Sequence, residues 1–363
     1  MLTIFADLNN KNDLVSSKEE PIPRPDKNEI LFKTLACGVC STDIEYLTNK
    51  KLIKKDSKMF NAYIGKKYLG HEIVAKAIKV GKNVNKKLIN KNFVVADTNM
   101  CKSFNFKNEC ENCKKKRGIQ CQNKAKRNFK KNVFGGYSEY FIRSKYQSHV
   151  VNKNVNIQEA VFSEPLAGAI NCFNFCKKND KILIIGLGTI SSLFYRILKV
   201  NKFKNKNIFL AVENNFQKLQ AKKLKIKNII FKKDLKKNKI KFNKVFYFSG
   251  KLNLNEIALN NLNSFSSIFF FGHLKEIKIE PKVLIKKEIE LKGIHGYSSK
   301  KINDKYVSDI QTAISYIEKK KIILNDLINF KFKLENAKDV LNNICKNIKK
   351  KNKKIFFRSI LIA

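Results

Sequence analysis

The apolar residues of this chain change rhythm near Asp180. Through the first 150 residues they fall in short alternating segments broken by Pro, Gly and Asn, such as Glu29 to Leu35 and Phe93 to Ala96, which is the texture of half-buried strands. Pro21, Pro23 and Pro25 mark an early extended stretch, because a proline disfavours helical backbone in the residue before it. From about Asp180, short apolar runs alternate with Lys-rich segments of helical period, the order produced by βαβ units in a parallel sheet. Strands are predicted at Lys181 to Ile185, Ile208 to Val212, Asn228 to Phe231, Lys244 to Phe248, Ser267 to Phe271 and Ile289 to Ile294. Helices are predicted near Ile190 to Val200, Phe216 to Leu224 and Asn253 to Leu262. The tail from Lys300 adds a helical stretch around Val307 to Lys319 and a last apolar segment, Ile355 to Ile362.

Composition narrows the class. With 363 residues, 43% hydrophobic and 28 Phe, the chain can bury a core in about two domains, which excludes an extended disordered polymer. The net charge of +45 invites a nucleic-acid or acidic-membrane partner. Only six of the 75 cationic residues are Arg, however, and the Lys are scattered, often beside Asn. Phosphate readers concentrate Arg forks on one face, so a compositional bias toward Lys, Asn, Ile and Phe explains the charge without such a partner. The longest apolar runs, such as Ile182 to Ile185 and Ile268 to Phe271, fall far short of the roughly 18 residues of a membrane span. Residues 1 to 10 contain Asp7 and lack a basic leader, so a cytoplasmic location is expected, with the nine Cys reduced. Thiols in that setting point to metal before disulfide.

The predicted strand at Lys181 runs into Gly186, Gly188 and Ser191, the spacing of the GxGxxG fingerprint with its third glycine replaced. Gly186 permits the tight strand-to-helix turn, and Gly188 lets the helix-start amides, at Thr189 and Ile190, approach a pyrophosphate. The next strand ends at Glu213, 27 residues after Gly186, where an acidic side chain accepts hydrogen bonds from ribose hydroxyls. A carboxylate there repels a 2′-phosphate, which favours NAD over NADP, with Lys218 nearby to soften the discrimination.

Two further constellations suit zinc. Cys40, within Cys37-Gly-Val-Cys-Ser-Thr-Asp43, is followed 31 residues later by His71 and Glu72. Thiolate, imidazole and one carboxylate, from Glu72 or from Glu164, make three protein ligands with a fourth position open, which is a catalytic arrangement. Cys110, Cys113 and Cys121, preceded by Cys101, form a second set that would close a four-thiolate structural shell, although Cys101 must cross a nine-residue gap to join it. Cys37, Cys172, Cys176 and Cys345 read as small buried apolar side chains, and His149, His273 and His295 as satisfied polar residues.

These motifs resemble, over nearly the full length, the zinc-dependent medium-chain alcohol and polyol dehydrogenases. The likeness rests on Gly38-Val-Cys-Ser-Thr-Asp43, Gly70-His-Glu72, the cysteine lobe, Gly135-Gly-Tyr-Ser-Glu-Tyr140, Glu164-Pro-Leu-Ala167, Gly186-Leu-Gly188, Glu213-Asn-Asn215 and Lys287-Glu-Ile-Glu-Leu-Lys-Gly293. It implies a GroES-like β-rich catalytic domain, residues 1–155 completed by 298–363, with a Rossmann NAD-binding domain, 156–297, inserted: an α/β protein with a doubly wound parallel sheet. It further implies Cys40, His71 and Glu72 or Glu164 as catalytic zinc ligands, Asp43 as the carboxylate orienting the ligand histidine, and Thr42 as proton relay. Glu45 stands where many members place a histidine that ends that relay, and a carboxylate also carries protons. Glu164 in place of a cysteine ligand, and Tyr46 after Glu45, tilt the likeness toward the sorbitol and threonine dehydrogenase branch. The implied reaction is hydride transfer between a secondary alcohol, a polyol or amino alcohol, and NAD, in a homodimer or homotetramer. The competing expectations are a zinc-free reductase of the same superfamily and a basic nucleic-acid-binding protein that kept the fold.

Overall fold

The computed structural model describes residues 1–7, 15–49, 66–96, 100–123, 134–248, 251–253, 261–272, 276–278, 281–349 and 359–363. They divide into two compact units, Met1–Glu164 with Lys301–Ala363, and Pro165–Lys300.

The first unit is built on a seven-stranded sheet whose main path runs Phe330–Lys333, Ser359–Ile362, Glu29–Gly38, Glu72–Val80, Asn92–Val95 and Ser148–Val150, with Tyr140–Ser144 also pairing with Glu29–Gly38. The long strand Glu29–Gly38 buries most of its side chains on both faces. Phe32 anchors its core, with ring centroids 5.3 Å from Phe93 in an edge contact and 5.5 Å from Phe141 in a stack, geometries that aromatic quadrupoles favour. Strands Glu29–Gly38 and Glu72–Val80 run antiparallel with two register shifts, and their pairing ends with Gly38 opposite Glu72. That register brings the chain leaving Gly38 beside the chain entering Glu72.

The second unit holds six parallel strands in the order Asn228–Phe231, Ile208–Val212, Ile182–Ile185, Phe242–Tyr247, Leu262–Phe271 and Glu290–Ile294. The first strand in sequence lies inside the sheet and the order reverses beside it, the doubly wound arrangement that opens a crevice at the carboxyl ends of the strands. All four residues of Ile182–Ile185 are buried, as a strand covered on both faces requires. On one face Phe194 of helix Thr189–Val200 packs on Phe246 at 4.5 Å, and Phe246 stacks on Phe269 at 4.7 Å. On the other, Leu183, Phe209, Phe242 and Tyr247 share a cluster.

The predicted elements that fall on described residues agree with this layout to within a few residues, with two differences. The strand expected from Ser267 already begins at Leu262, passing Phe265 in left-handed backbone at φ 60°. A helix at Ala337–Lys349 was not anticipated, although Leu341, Ile344 and Cys345 line its buried side. The helix expected over Asn253 to Leu262 falls mostly at 254–260, outside the described residues, as do 355–358 of the last apolar segment. Among the described residues no helix is long and apolar enough to cross a membrane.

Candidate functional site

The antiparallel register gathers Cys40, His71 and Glu72 so that one ligand atom from each lies within 4.8 Å of the others. Cys40 ends the turn out of Gly38 and caps the helix Ser41–Thr48. Its N–H donates to Asp43 Oδ2 at 3.0 Å, so the third residue of the helix closes back on the cap, where a carboxylate also meets the positive end of the helix dipole. His71 follows Gly70, whose φ of +88° only glycine adopts without strain; a Cβ there would stand 2.9 Å from both Cys37 Sγ and the backbone N of Tyr137. The segment is locked from that side, since Gly136 N–H donates to Gly70 O at 2.9 Å. Glu72 is 1% exposed.

Asp43 is the hub of the cluster. It is 2% exposed, accepts from Cys40 N–H and from Gly70 N–H at 3.2 Å, and places Oδ1 3.5 Å from His71 Nδ1. The hydroxyl of fully buried Tyr137 reaches Asp43 Oδ2 at 3.5 Å and Gly38 O at 3.4 Å. Burial raises the Asp43 carboxyl, but the charge and hydrogen bond of His71, with the two N–H groups, hold it below the ordinary carboxylate value. Burial likewise raises the Cys40 thiol, yet His71 brings it down to about 7. Burial opposes the charged form of His71, and the negative charges of Cys40 and Asp43 outweigh it, pushing the imidazole well above its usual range. The charged forms of Cys40, His71 and Asp43 therefore favour one another.

Thr42 Oγ1 lies 3.7 Å from Cys40 Sγ, and Glu45 follows three residues later on the same helix, hence on the same face. Glu164, near the start of helix Ser163–Phe173, is not a member of the group.

The second cysteine set also meets: the sulfurs of Cys101, Cys110, Cys113 and Cys121 lie within 4.8 Å of one another. The long gap after Cys101 is taken up by a 3-10 turn, Cys101–Phe104, then Asn105 in left-handed backbone at φ 57°, and is clasped by Lys102 and Glu109 at 3.0 Å. N–H groups point at sulfur, from Cys101 to Cys113 at 3.3 Å and from Cys110 to Cys101 at 3.5 Å. Asn123 Nδ2, which no sequence motif singled out, donates to Cys101 Sγ at 3.4 Å. Burial raises the Cys110 thiol, but backbone N–H groups of Cys113 and Gln122 and the neighbouring thiols hold it down to about 6.

In the second unit, Gly186 has φ +89° at the end of Ile182–Ile185, and Gly188 caps helix Thr189–Val200, which also carries Ile190. A Cβ at Gly188 would meet nothing within 4 Å, so protein packing does not demand this glycine. Ser191, in place of the third glycine, is 1% exposed and its Oγ accepts from Gly188 N–H at 2.8 Å, serving as an internal cap. Glu213 follows strand Ile208–Val212, beside Asn214, which caps the next helix. His149 departs from expectation: its buried Nε2 has no protein hydrogen-bond partner.

Residues 26–154 match the alcohol dehydrogenase GroES-like domain. The chain is 20% identical over 341 residues to D-arabinitol dehydrogenase 1 of Uromyces fabae, covering 89% of this chain and 88% of the relative. Other curated relatives, among them the L-threonine 3-dehydrogenase of Stenotrophomonas maltophilia, are matched over about half of their length, 54% in that case. In structure it resembles a short chain alcohol dehydrogenase from E. coli CFT073 complexed with NADH, at TM-score 0.79, 18% identity and coverage of 100% and 99%. It resembles equally a candidate zinc-binding dehydrogenase from Sinorhizobium meliloti 1021 bound to NADP, at TM-score 0.78, 17% identity and coverage of 100% and 99%.

Proposed function

We propose that this chain, whose residues 26–154 match the alcohol dehydrogenase GroES-like domain, works as a zinc-type medium-chain alcohol or polyol dehydrogenase: it oxidises a secondary alcohol, a polyol or amino alcohol, with NAD as hydride acceptor and a zinc ion held by Cys40, His71 and Glu72. The observation that carries this reading is the meeting of one thiol, one imidazole and one carboxylate from two separated stretches of chain. That donor set suits zinc and supplies three protein ligands, the number that leaves a fourth position for substrate. Glu72, already in the group, takes the carboxylate role ahead of Glu164. When bound, zinc supplies Lewis acidity that stabilises negative charge developing on the alcohol oxygen.

The chain's own residues do the rest. Asp43, beside His71 Nδ1, fixes the ring and leaves Nε2 for ligation. Thr42 takes the alcohol proton and passes it to Glu45, one turn along the same helix face. Gly186 and Gly188 open the turn so that the amides of Thr189 and Ile190 meet the cofactor pyrophosphate, while Glu213 accepts from the adenosine ribose. The four-cysteine lobe would hold a second, structural zinc, since its four sulfurs meet as a closed thiolate shell requires. Nine free thiols fit a reducing cytoplasm, and the family likeness supports a homodimer or homotetramer.

Metal content per chain, measured alongside NAD-linked turnover on polyols, amino alcohols and simple alcohols, tests the reading. Cys40→Ser is expected to lower bound zinc from about two to about one per chain and to abolish turnover while NADH still binds. Undiminished turnover in that variant rejects the proposal.

A further inference from the structure

Strand Asn228–Phe231 lies beside Ile208–Val212 in parallel register, with Val212 opposite Phe231. The next residue of each strand therefore faces the other across the carboxyl edge of the sheet: Glu213 and Lys232. Lys232 Nζ stands 3.8 Å from Glu213 Oε1, with the two side chains 20% and 37% exposed. It is not a loose surface amine. Nζ also donates to the hydroxyl of Tyr247 at 3.4 Å, and Tyr247 is fully buried at the end of strand Phe242–Tyr247. The neighbouring cations are turned elsewhere: Lys218 and Lys233 lie over the Phe231 ring at 4.9 and 5.8 Å.

The geometry points to Lys232 as a residue that sets dinucleotide preference, by offsetting the charge of Glu213 and offering a cation to a 2′-phosphate. The inference rests on the dinucleotide reading above and refines its NAD preference. A lone carboxylate at the ribose position accepts from two hydroxyls and repels a phosphate that carries nearly two negative charges. An ammonium held beside that carboxylate cancels most of the repulsion and adds a charge-assisted hydrogen bond. The Tyr247 hydroxyl keeps the amine in place when the carboxylate turns toward ribose, so both roles coexist. The expected result is a chain that binds NADP nearly as well as NAD.

Titrating NADH and NADPH by nucleotide fluorescence against the purified full chain tests this without recourse to turnover. In the wild-type protein the two dissociation constants should lie within about tenfold of one another. Lys232→Gln should shift their ratio about tenfold toward NADH, Lys232→Arg should restore it, and Glu213→Gln should shift it toward NADPH. Tyr247→Phe, which keeps the packing and removes the anchor, should move the ratio in the same direction as Lys232→Gln by a smaller factor. A ratio unchanged within about twofold in Lys232→Gln or Tyr247→Phe, while NADH still binds, overturns the role of Lys232. If the wild-type protein binds neither nucleotide, the dinucleotide reading itself fails and takes this inference with it.

Discussion

Single residues at the metal group act through each other. Asp43 sits in the first turn of helix Ser41–Thr48 and touches Cys40, Gly70, His71 and Tyr137, so one carboxylate joins the helix cap to the ligand histidine. Cys40, His71, Glu72 and Asp43 can be singled out from their motifs. Tyr137 lies within a quoted motif too, but its contact with Asp43 spans 94 positions and leaves no local trace. His149 offers the clearest pH signature. Burial holds its imidazole down to about 4, against 6.5 when exposed. Between those values the unfolded chain binds a proton that the folded chain refuses, so this residue lowers stability as the pH falls through that window. Thermal unfolding between pH 7 and pH 4 should therefore show a shallower acid decline in His149→Gln than in the wild-type protein; parallel declines would mean that the imidazole finds a proton-accepting neighbour on acidification.

At the scale of elements, ligand placement is set by strand register and by one turn. The pairing of Gly38 with Glu72 aligns the two ligand-bearing stretches, and Gly70 supplies the left-handed step that leads into His71 and Glu72. Gly70→Ala would force a Cβ against Cys37 and the Tyr137 backbone in a conformation that alanine adopts only under strain. A loss of at least about 2 kcal/mol is expected, visible as a fall of several degrees in the unfolding midpoint by circular dichroism, together with weaker zinc retention. In the cysteine lobe, Cys101 stands nine residues before Cys110, and spacing alone makes it a doubtful partner. The 3-10 turn, the left-handed Asn105 and the Lys102–Glu109 pair shorten that distance in space. None of these is a periodic signal, whereas strands Ile182–Ile185 and Ile208–Val212 of the parallel sheet are continuous apolar runs and read directly.

For the whole molecule the dominant physical quantity is the net charge of +45. Repulsion among so many Lys opposes compaction, and salt screens it: the Debye length falls from about 30 Å at 0.01 M to about 8 Å at 0.15 M. The unfolding temperature should rise by several degrees over that range in a sodium chloride series followed by differential scanning calorimetry; a flat response would mean that repulsion among the cations does not limit the stability of the folded chain. What the sequence determined by itself was the alternation of apolar runs, and with it the α/β class and the doubly wound sheet, together with the residue types able to bind zinc and a dinucleotide. Those features are local, because strand burial and motif chemistry depend on neighbours along the chain. Only the tertiary structure decided which groups share a space: Cys101 joining its three partners, Tyr137 reaching Asp43, and Lys232 standing between Glu213 and Tyr247. Such contacts depend on strand order, register and side-chain reach across a folded sheet, quantities that no stretch of sequence carries alone.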